Sequence, residues 1–294
     1  MEGAKAALSE PVCSLWPYKF VAGLLSKLVA ARDVELHTWT PVTAVKESEE
    51  GGSTVLHTPR GSIKARKVVF ATNAYTAGIC DQYMGKIIPT KSTACHISPA
   101  HRISPHLSHT YNISYSHFGT TPCIDYLNPR PDGSIVVGGA NWMYERARDK
   151  WYNNWDDSQQ VPGVRVHFDG LMQRYFAGWR DSGAVVDHLW TGIIGRTADE
   201  EPFVGDVYKH EGEQYIIAGF NGGGMAYIFL CARGLAQMIV DRVPYAQTGL
   251  PRPFEARQDR MLQSVCSTLP SEDPDELLFD QVPLQSRFWV PFSS

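Results

Sequence analysis

The chain has no pair of cysteines at C-x-x-C spacing. Its six cysteines stand far apart, at Cys13, Cys80, Cys95, Cys123, Cys231 and Cys266. That scatter suggests no zinc site and predicts free thiols in a reducing compartment rather than a disulfide scaffold. No apolar run approaches the roughly 20 residues of a membrane-spanning helix. Residues 1–12 lack the apolar core of a secretory leader. The last five, Val290-Pro291-Phe292-Ser293-Ser294, are not a peroxisomal address. Basic residues are in short supply: 27 Lys and Arg against 31 Asp and Glu leave a net charge of −4. With no basic stripe, nucleic acid is not an expected partner. These absences predict a cytoplasmic protein with no membrane partner. The chain also has no internal repeat, and residues 1–7 offer no strand–G-x-G-x-x-G–helix unit.

What is present is a globular composition. Of the 294 residues, 43% are hydrophobic and 20% charged, enough for a substantial core. Aromatics reach 11%, with eight Trp and thirteen Tyr. They suit an enzyme or binding protein with a wide cavity, and equally a plain aromatic core. The most informative stretch runs from Gln214 to Met225. Tyr215-Ile216-Ile217-Ala218 suits a buried strand. Asn221-Gly222-Gly223-Gly224, which follow Gly219-Phe220, have almost no side chain beyond Asn221, so a ligand could approach the backbone closely. From Met225 the apolar residues Ile228, Phe229, Ala232, Leu235, Ala236 and Ile239 mark an amphipathic helix. Its N-terminus would offer free N–H groups to an anionic group above the glycines. A tight turn without a ligand explains the same residues equally well.

Elsewhere the periodicity predicts a helix over 14–30, short strands at 34–38 and 42–46, and a hairpin of 54–58 with 62–65 around Pro59-Arg60-Gly61. Residues 67–75 are a continuous apolar run ending in small polar residues, as in a parallel strand feeding a ligand loop. From about Lys86 the pattern alternates, with strands at 91–97, 110–115, 123–127 and 134–138. Asp132-Gly133 joins the last two. Residues 142–162 read as a surface excursion, 164–179 as one amphipathic helix, 185–194 as a strand, and 244–294 as an extended tail with apolar ends. The expected organisation is discontinuous. Segments 13–85 and 190–243 give parallel-sheet material, with an antiparallel sheet of 86–189 between them.

Four motifs, in order, resemble the FAD-dependent amine and amino-acid oxidase superfamily, the group of D-amino acid oxidase, glycine oxidase and sarcosine oxidase. They are Ser14-Leu15-Trp16-Pro17-Tyr18-Lys19-Phe20-Val21, Thr40-Pro41-Val42-Thr43, Ala71-Thr72-Asn73-Ala74-Tyr75, and the closing run from Trp190-Thr191-Gly192-Ile193-Ile194-Gly195 to Gly224-Met225. The resemblance covers about residues 10–243. It implies an α/β fold: an incomplete Rossmann-like FAD-binding domain, a substrate domain built on an antiparallel sheet, and the extended tail. It implies FAD as cofactor and oxidation of an amine or amino-acid-like small molecule by hydride transfer.

The resemblance also implies a binding set. Val42 would read the adenine edge through its backbone. Ala71, Thr72, Asn73 and Ala74 would sit over the adenosine–phosphate portion. Gly192, Gly219, Asn221, Gly222, Gly223, Gly224 and Met225 would lie against the flavin. Gly223 departs from relatives that carry a His there. No residue stands out as the catalytic acid or base. The missing phosphate loop predicts one of three things: a truncated gene model, which is favoured, a missing N-terminal half supplied by another chain, or a remnant with altered function. A flavin-free pseudoenzyme or partner subunit, keeping the sheet as a binding platform, is the alternative.

Arg196 follows the flavin-facing run. It could hold a substrate carboxylate, but a salt bridge to Asp199 or Glu200 is the favoured expectation. Five histidines crowd 96–117 (His96, His101, His106, His109, His117). Their spacings suit no helical metal pair, so no metal is expected. His96, Tyr111 and Tyr115 are candidates for shaping a pocket. Cys80, Cys123 and Cys231 match no covalent flavin anchor.

Overall fold

A computed structural model describes residues 1, 4–48, 52–104, 106–115 and 123–263. His117, Cys266 and the apolar ends of the expected tail lie outside the described residues.

Helix α1 (Pro17–Ala30) opens on a proline, whose missing N–H costs nothing in the first turn. Its apolar stripe is largely exposed, with only Ala22, Leu25 and Leu28 half-covered, and not one of its side chains is buried. Strands β1 (Ala44–Glu47), β2 (Thr54–Thr58) and β3 (Gly61–Ala65) form an antiparallel meander. The β2–β3 hairpin is as the Pro-Arg-Gly turn predicts. Residues 34–38, expected as a strand, pair with nothing among the described residues and form none.

The second sheet holds β4 (Val68–Phe70), β10 (Phe203–Asp206) and β11 (Gln214–Ala218) in the order β10-β11-β4. Strand β11 is buried along its whole length and runs parallel to β4. Strand β4 is therefore an edge. The Val68 N–H donates to the Glu213 carbonyl, so the Val69 backbone turns to the open side. Helix α5 (Ile228–Val240) covers the sheet through Cys231, Gly234, Leu235 and Met238. The expected stripe is thus rotated. Met225, Phe229, Ala232 and Ala236 are exposed, and Gly234 lets the helix approach Leu250 and Thr248 closely.

The third sheet has the order β6-β7-β8-β5-β9, with β5 (Ile88–Ser98), β6 (Tyr111–Tyr115), β7 (Cys123–Pro129), β8 (Ile135–Gly139) and β9 (Val185–Arg196), all antiparallel. Asp132 Oδ1 accepts the Ser134 N–H and fixes the β7–β8 turn. One face of this sheet, with Cys95, Ile97, Leu127, Ile135 and Val137, packs under α3 (Arg165–Phe168) and α4 (Leu171–Tyr175). The single helix expected over 164–179 is broken here. Gly170 takes a left-handed φ of 71°, which ends α3 and starts α4 while keeping Phe168, Leu171, Met172 and Phe176 in the core. The expected surface excursion includes α2 (Arg148–Trp151), and it buries Tyr144, Trp151 and Val161 in the same core.

Residues 244–263, read from sequence as the start of an extended tail, pack on the second sheet instead. The Ala256 N–H donates to the Val204 carbonyl, and Tyr245 is buried against α5. Helix α6 (Gln258–Gln263) brings in Arg260. Its guanidinium pairs with Asp199 (Nε to Oδ2, 2.5 Å), donates to the carbonyls of Glu201 and Pro202, and lies over the Phe203 ring.

Candidate functional site

The carboxyl ends of β4, β9 and β11 converge. Asn73 begins the short 3-10 turn Asn73–Gly78, at a φ of 46° that asparagine tolerates better than most residues. Its Oδ1 accepts the N–H groups of Gly219 and Phe220 at 2.9 and 3.1 Å. Asn221, also left-handed, donates its N–H to the Gly195 carbonyl at 2.9 Å. Its Oδ1 accepts the Thr197 N–H, and its Nδ2 donates to Thr197 Oγ1. Gly195 is pressed so close that a Cβ would stand 2.9 Å from the Ala74 nitrogen. Two asparagines therefore tie three strand ends into one rigid junction.

Of the residues singled out from sequence, Asn73, Ala74, Gly219 and Asn221 meet at this junction. Gly222 and Gly223 are exposed, with open space where a side chain would project, and Gly224 is buried against Phe220. Met225 is exposed and lies in a 3-10 turn ahead of α5 rather than at its start. Gly192 is half-buried in β9 with nothing above it within 4 Å. Ala71 is exposed.

Val42 precedes β1 rather than lying in it. With Thr72 it lines a cleft of about 640 Å³, alongside Val69, Tyr75 and Trp155. Residues 222–225 do not line that cleft. Trp155 was not anticipated. It comes from the region read as a surface excursion, reaches Tyr75 with ring centroids 6.1 Å apart, and covers Gly78. Nothing local in the sequence marks it.

The second face of the five-stranded sheet is open. By strand alternation and register it carries Ser92, Ala94 and His96 of β5, His188, Trp190, Gly192, Ile194 and Arg196 of β9, and Tyr126 of β7. Tyr126 lies across Gly138, where a Cβ would stand 2.0 Å from the ring. Burial raises the Tyr126 phenol above its ordinary value. Tyr111 is on the other face, packed edge-on against Phe176, so it does not shape this surface.

Arg196 sits where this face meets the junction. The expected bridge to Asp199 does not form, because Arg260 occupies that carboxylate. Arg196 makes no hydrogen bond or close ion pair among the described residues. Burial lowers its pKa, against the opposing charge of Glu200. Tyr144 beside it is pushed up to about 12, chiefly by burial. The thiols of Cys80, Cys95 and Cys231 are all raised by burial, to about 11, 12 and 11, which makes them poor nucleophiles.

The arrangement is a small mixed sheet whose strand ends carry a glycine loop, set beside a large antiparallel sheet with an open polar and aromatic face. This is the class of two-part mixed α/β folds. Residues 3–238 match the family model described as FAD dependent oxidoreductase, and the chain belongs to that family. A curated protein, "Probable oxidoreductase OrdL" of Rhizobium meliloti (strain 1021), is 22% identical over 227 residues, which are 77% of this chain and 47% of that protein. Glycine oxidase from Geobacillus kaustophilus superposes with a TM-score of 0.58 at 20% identity, over 81% of this chain and 57% of that one. L-proline dehydrogenase from P. horikoshii gives 0.54 at 20% identity, over 78% and 56%. These likenesses support the mixed α/β fold expected from sequence. The chain spans about half the length of the curated relative it matches, 47%. FAD is the family's cofactor. No helix among the described residues is long and apolar enough to cross a membrane.

Proposed function

We propose that this chain forms the substrate-facing part of an FAD-dependent oxidoreductase acting on an amine or amino-acid-like small molecule. One observation carries the reading. The strand-end junction held by Asn73 and Asn221 lies at the same end of β9 as the open face bearing Trp190 and Arg196. The junction would position a cofactor, and the face would position a substrate. On this reading, segments 13–85 and 190–243 serve the cofactor and 86–189 the substrate. The glycine oxidase and iminodiacetate oxidase among the structural neighbours act on such molecules, as their names state.

The residues present fit the cofactor in part. The cleft between Val42 and Thr72, closed by Tyr75 and Trp155, suits a flat aromatic ring. The exposed backbone of Gly222 and Gly223 leaves room for a second ring system. No Lys or Arg lines the cleft, so a diphosphate would find no cation in its lining. Its grip would come from outside the described residues, including a further chain. When bound, FAD would accept the hydride. The chain's residues orient and exclude water: Trp190 and Tyr126 present apolar surface, and the largely buried Arg196 guanidinium would hold an anionic substrate group.

The purified chain, alone and extended upstream, should be tested for flavin absorbance and for FAD binding by fluorescence quenching. Colour or saturable quenching in either form supports the reading. A folded protein that stays colourless and does not quench FAD in both forms overturns it, and would favour the sheet as a flavin-free binding platform.

A further inference from the structure

At the end of the five-stranded sheet away from the junction, the β5–β9 ladder slips. His96 pairs with His188, but the next residue, Ile97, pairs with Val186, leaving Asp187 as the extra residue of a β-bulge. A bulge re-aims side chains that strict alternation would send to opposite faces. Here it brings Asp187 to the same side as His96 and His188. One ligand atom from each lies within 4.8 Å of the others. His96 Nδ1 is 2.7 Å and His188 Nδ1 3.4 Å from Asp187 Oδ1. Donors bound to one ion at about 2.0–2.2 Å stand roughly 3 Å apart, so these spacings suit a shared ion without rebuilding the backbone.

The carboxylate has an outer partner of the kind that orients metal ligands. The Ser98 hydroxyl donates to Asp187 Oδ2 at 2.6 Å, which leaves Oδ1 directed at the two rings. His96 is held on its other side by Arg130, whose Nη1 stands 3.0 Å from Nε2. A guanidinium only donates, so Nε2 accepts, and the His96 proton resides on Nδ1, pointing at Asp187. The site lies about 25 Å from Arg196, eight residues along β9 at roughly 3.3 Å each. It does not belong to the junction or to the cleft.

We infer that His96, Asp187 and His188 form a binding site for one borderline divalent transition-metal ion, of the class of Zn²⁺, Ni²⁺ or Cu²⁺. Two imidazoles and a carboxylate are the donor set that such ions prefer over Mg²⁺ or Ca²⁺. Binding at His96 Nδ1 requires the ring to carry its proton on Nε2 instead. That N–H then meets the Arg130 N–H, donor against donor, so Arg130 must turn aside. Arg130 therefore acts as a competitor that holds the triad in its proton-bonded state.

The test is calorimetric titration of the intact chain with ZnCl₂ and with NiCl₂, alongside four single variants and one double variant. One equivalent should bind. Asp187→Asn and His188→Gln should each weaken binding at least about tenfold, and Ser98→Ala by about tenfold as a lost outer partner. Arg130→Gln, whose amide oxygen can accept from Nε2–H, should tighten it severalfold. Thermal melts without metal check that each variant is folded. Binding that is unchanged in His188→Gln and Asp187→Asn, or absent from folded wild type and folded Arg130→Gln alike, overturns the assignment. Tighter binding in Arg130→Gln that is lost again in the Arg130→Gln, His188→Gln double variant supports it.

Discussion

Asn73 and Gly219 are 146 positions apart in sequence, yet the Asn73 carboxamide accepts the Gly219 N–H at 2.9 Å. The same oxygen accepts the Phe220 N–H. Both donors belong to buried residues, so this one side chain satisfies two backbone groups that have no other acceptor among the described residues. Asn73→Ala would leave both unpaired and place alanine at a left-handed φ. The expected cost is about 2–4 kcal/mol, read from urea denaturation. Asn73→Asp keeps an acceptor and should cost less.

The glycines of the junction and of the loop behave differently. Gly195→Ala would drive a Cβ to 2.9 Å from the Ala74 nitrogen and should cost about 1–3 kcal/mol. A Cβ at Gly223 meets nothing within 4 Å, so Gly223→Leu should leave the melting temperature nearly unchanged. If the loop faces FAD, that same substitution should weaken FAD binding by tenfold or more in whichever form binds it. Unchanged affinity would remove the loop from the site.

Arg196 carries a largely buried charge with no hydrogen-bond partner among the described residues. Removing such a charge while keeping volume is often neutral or favourable. Arg196→Met should therefore leave the stability of the ligand-free chain unchanged or raise it by about 1 kcal/mol. A loss above about 2 kcal/mol would show that the guanidinium has a structural partner and is not held in reserve for an anion.

The Arg260–Asp199 pair predicts a pH dependence. Burial acts to raise the Asp199 pKa, but the hydrogen bond and charge of Arg260 outweigh it and leave the value lowered. A carboxylate whose pKa falls on folding contributes stability above its unfolded value, about 3.9, and loses it as pH drops through the folded one. Unfolding titrations between pH 6 and pH 3 should show a steeper acid loss for wild type than for Asp199→Asn. Arg260→Ala should cost about 2 kcal/mol at neutral pH. That is less than for a fully buried pair, because the Asp199 side chain stays 39% exposed.

Much of the fold was legible in the sequence because its strands carry local signals. The Pro-Arg-Gly and Asp-Gly turns set two hairpins, and the apolar run 215–218 became the buried strand β11. What failed depended on partners. Residues 34–38 have strand composition but no neighbouring strand among the described residues. The buried side of α5 includes Gly234, whose close approach to Leu250 is a tertiary contact that periodicity does not encode. At the site, Asn73 and Asn221 were found through resemblance, but their work as clasps between strand ends is long-range. Trp155 and Arg260 reach their positions from segments that read as surface and tail. Asp187 and His188 gave no metal signal in one dimension, since a ladder slip of a single residue unites them with His96.

Helix α1 has three full turns of leucine, valine and aromatic side chains, and none of them is buried. A helix of this length gains little from its own hydrogen bonds in water. Its amides should then open and exchange with solvent deuterium within a fraction of the time needed for those of β11, which lies in a fully enclosed strand. On this expectation local rigidity rises from the exposed helix α1 to the enclosed strand that delivers Gly219.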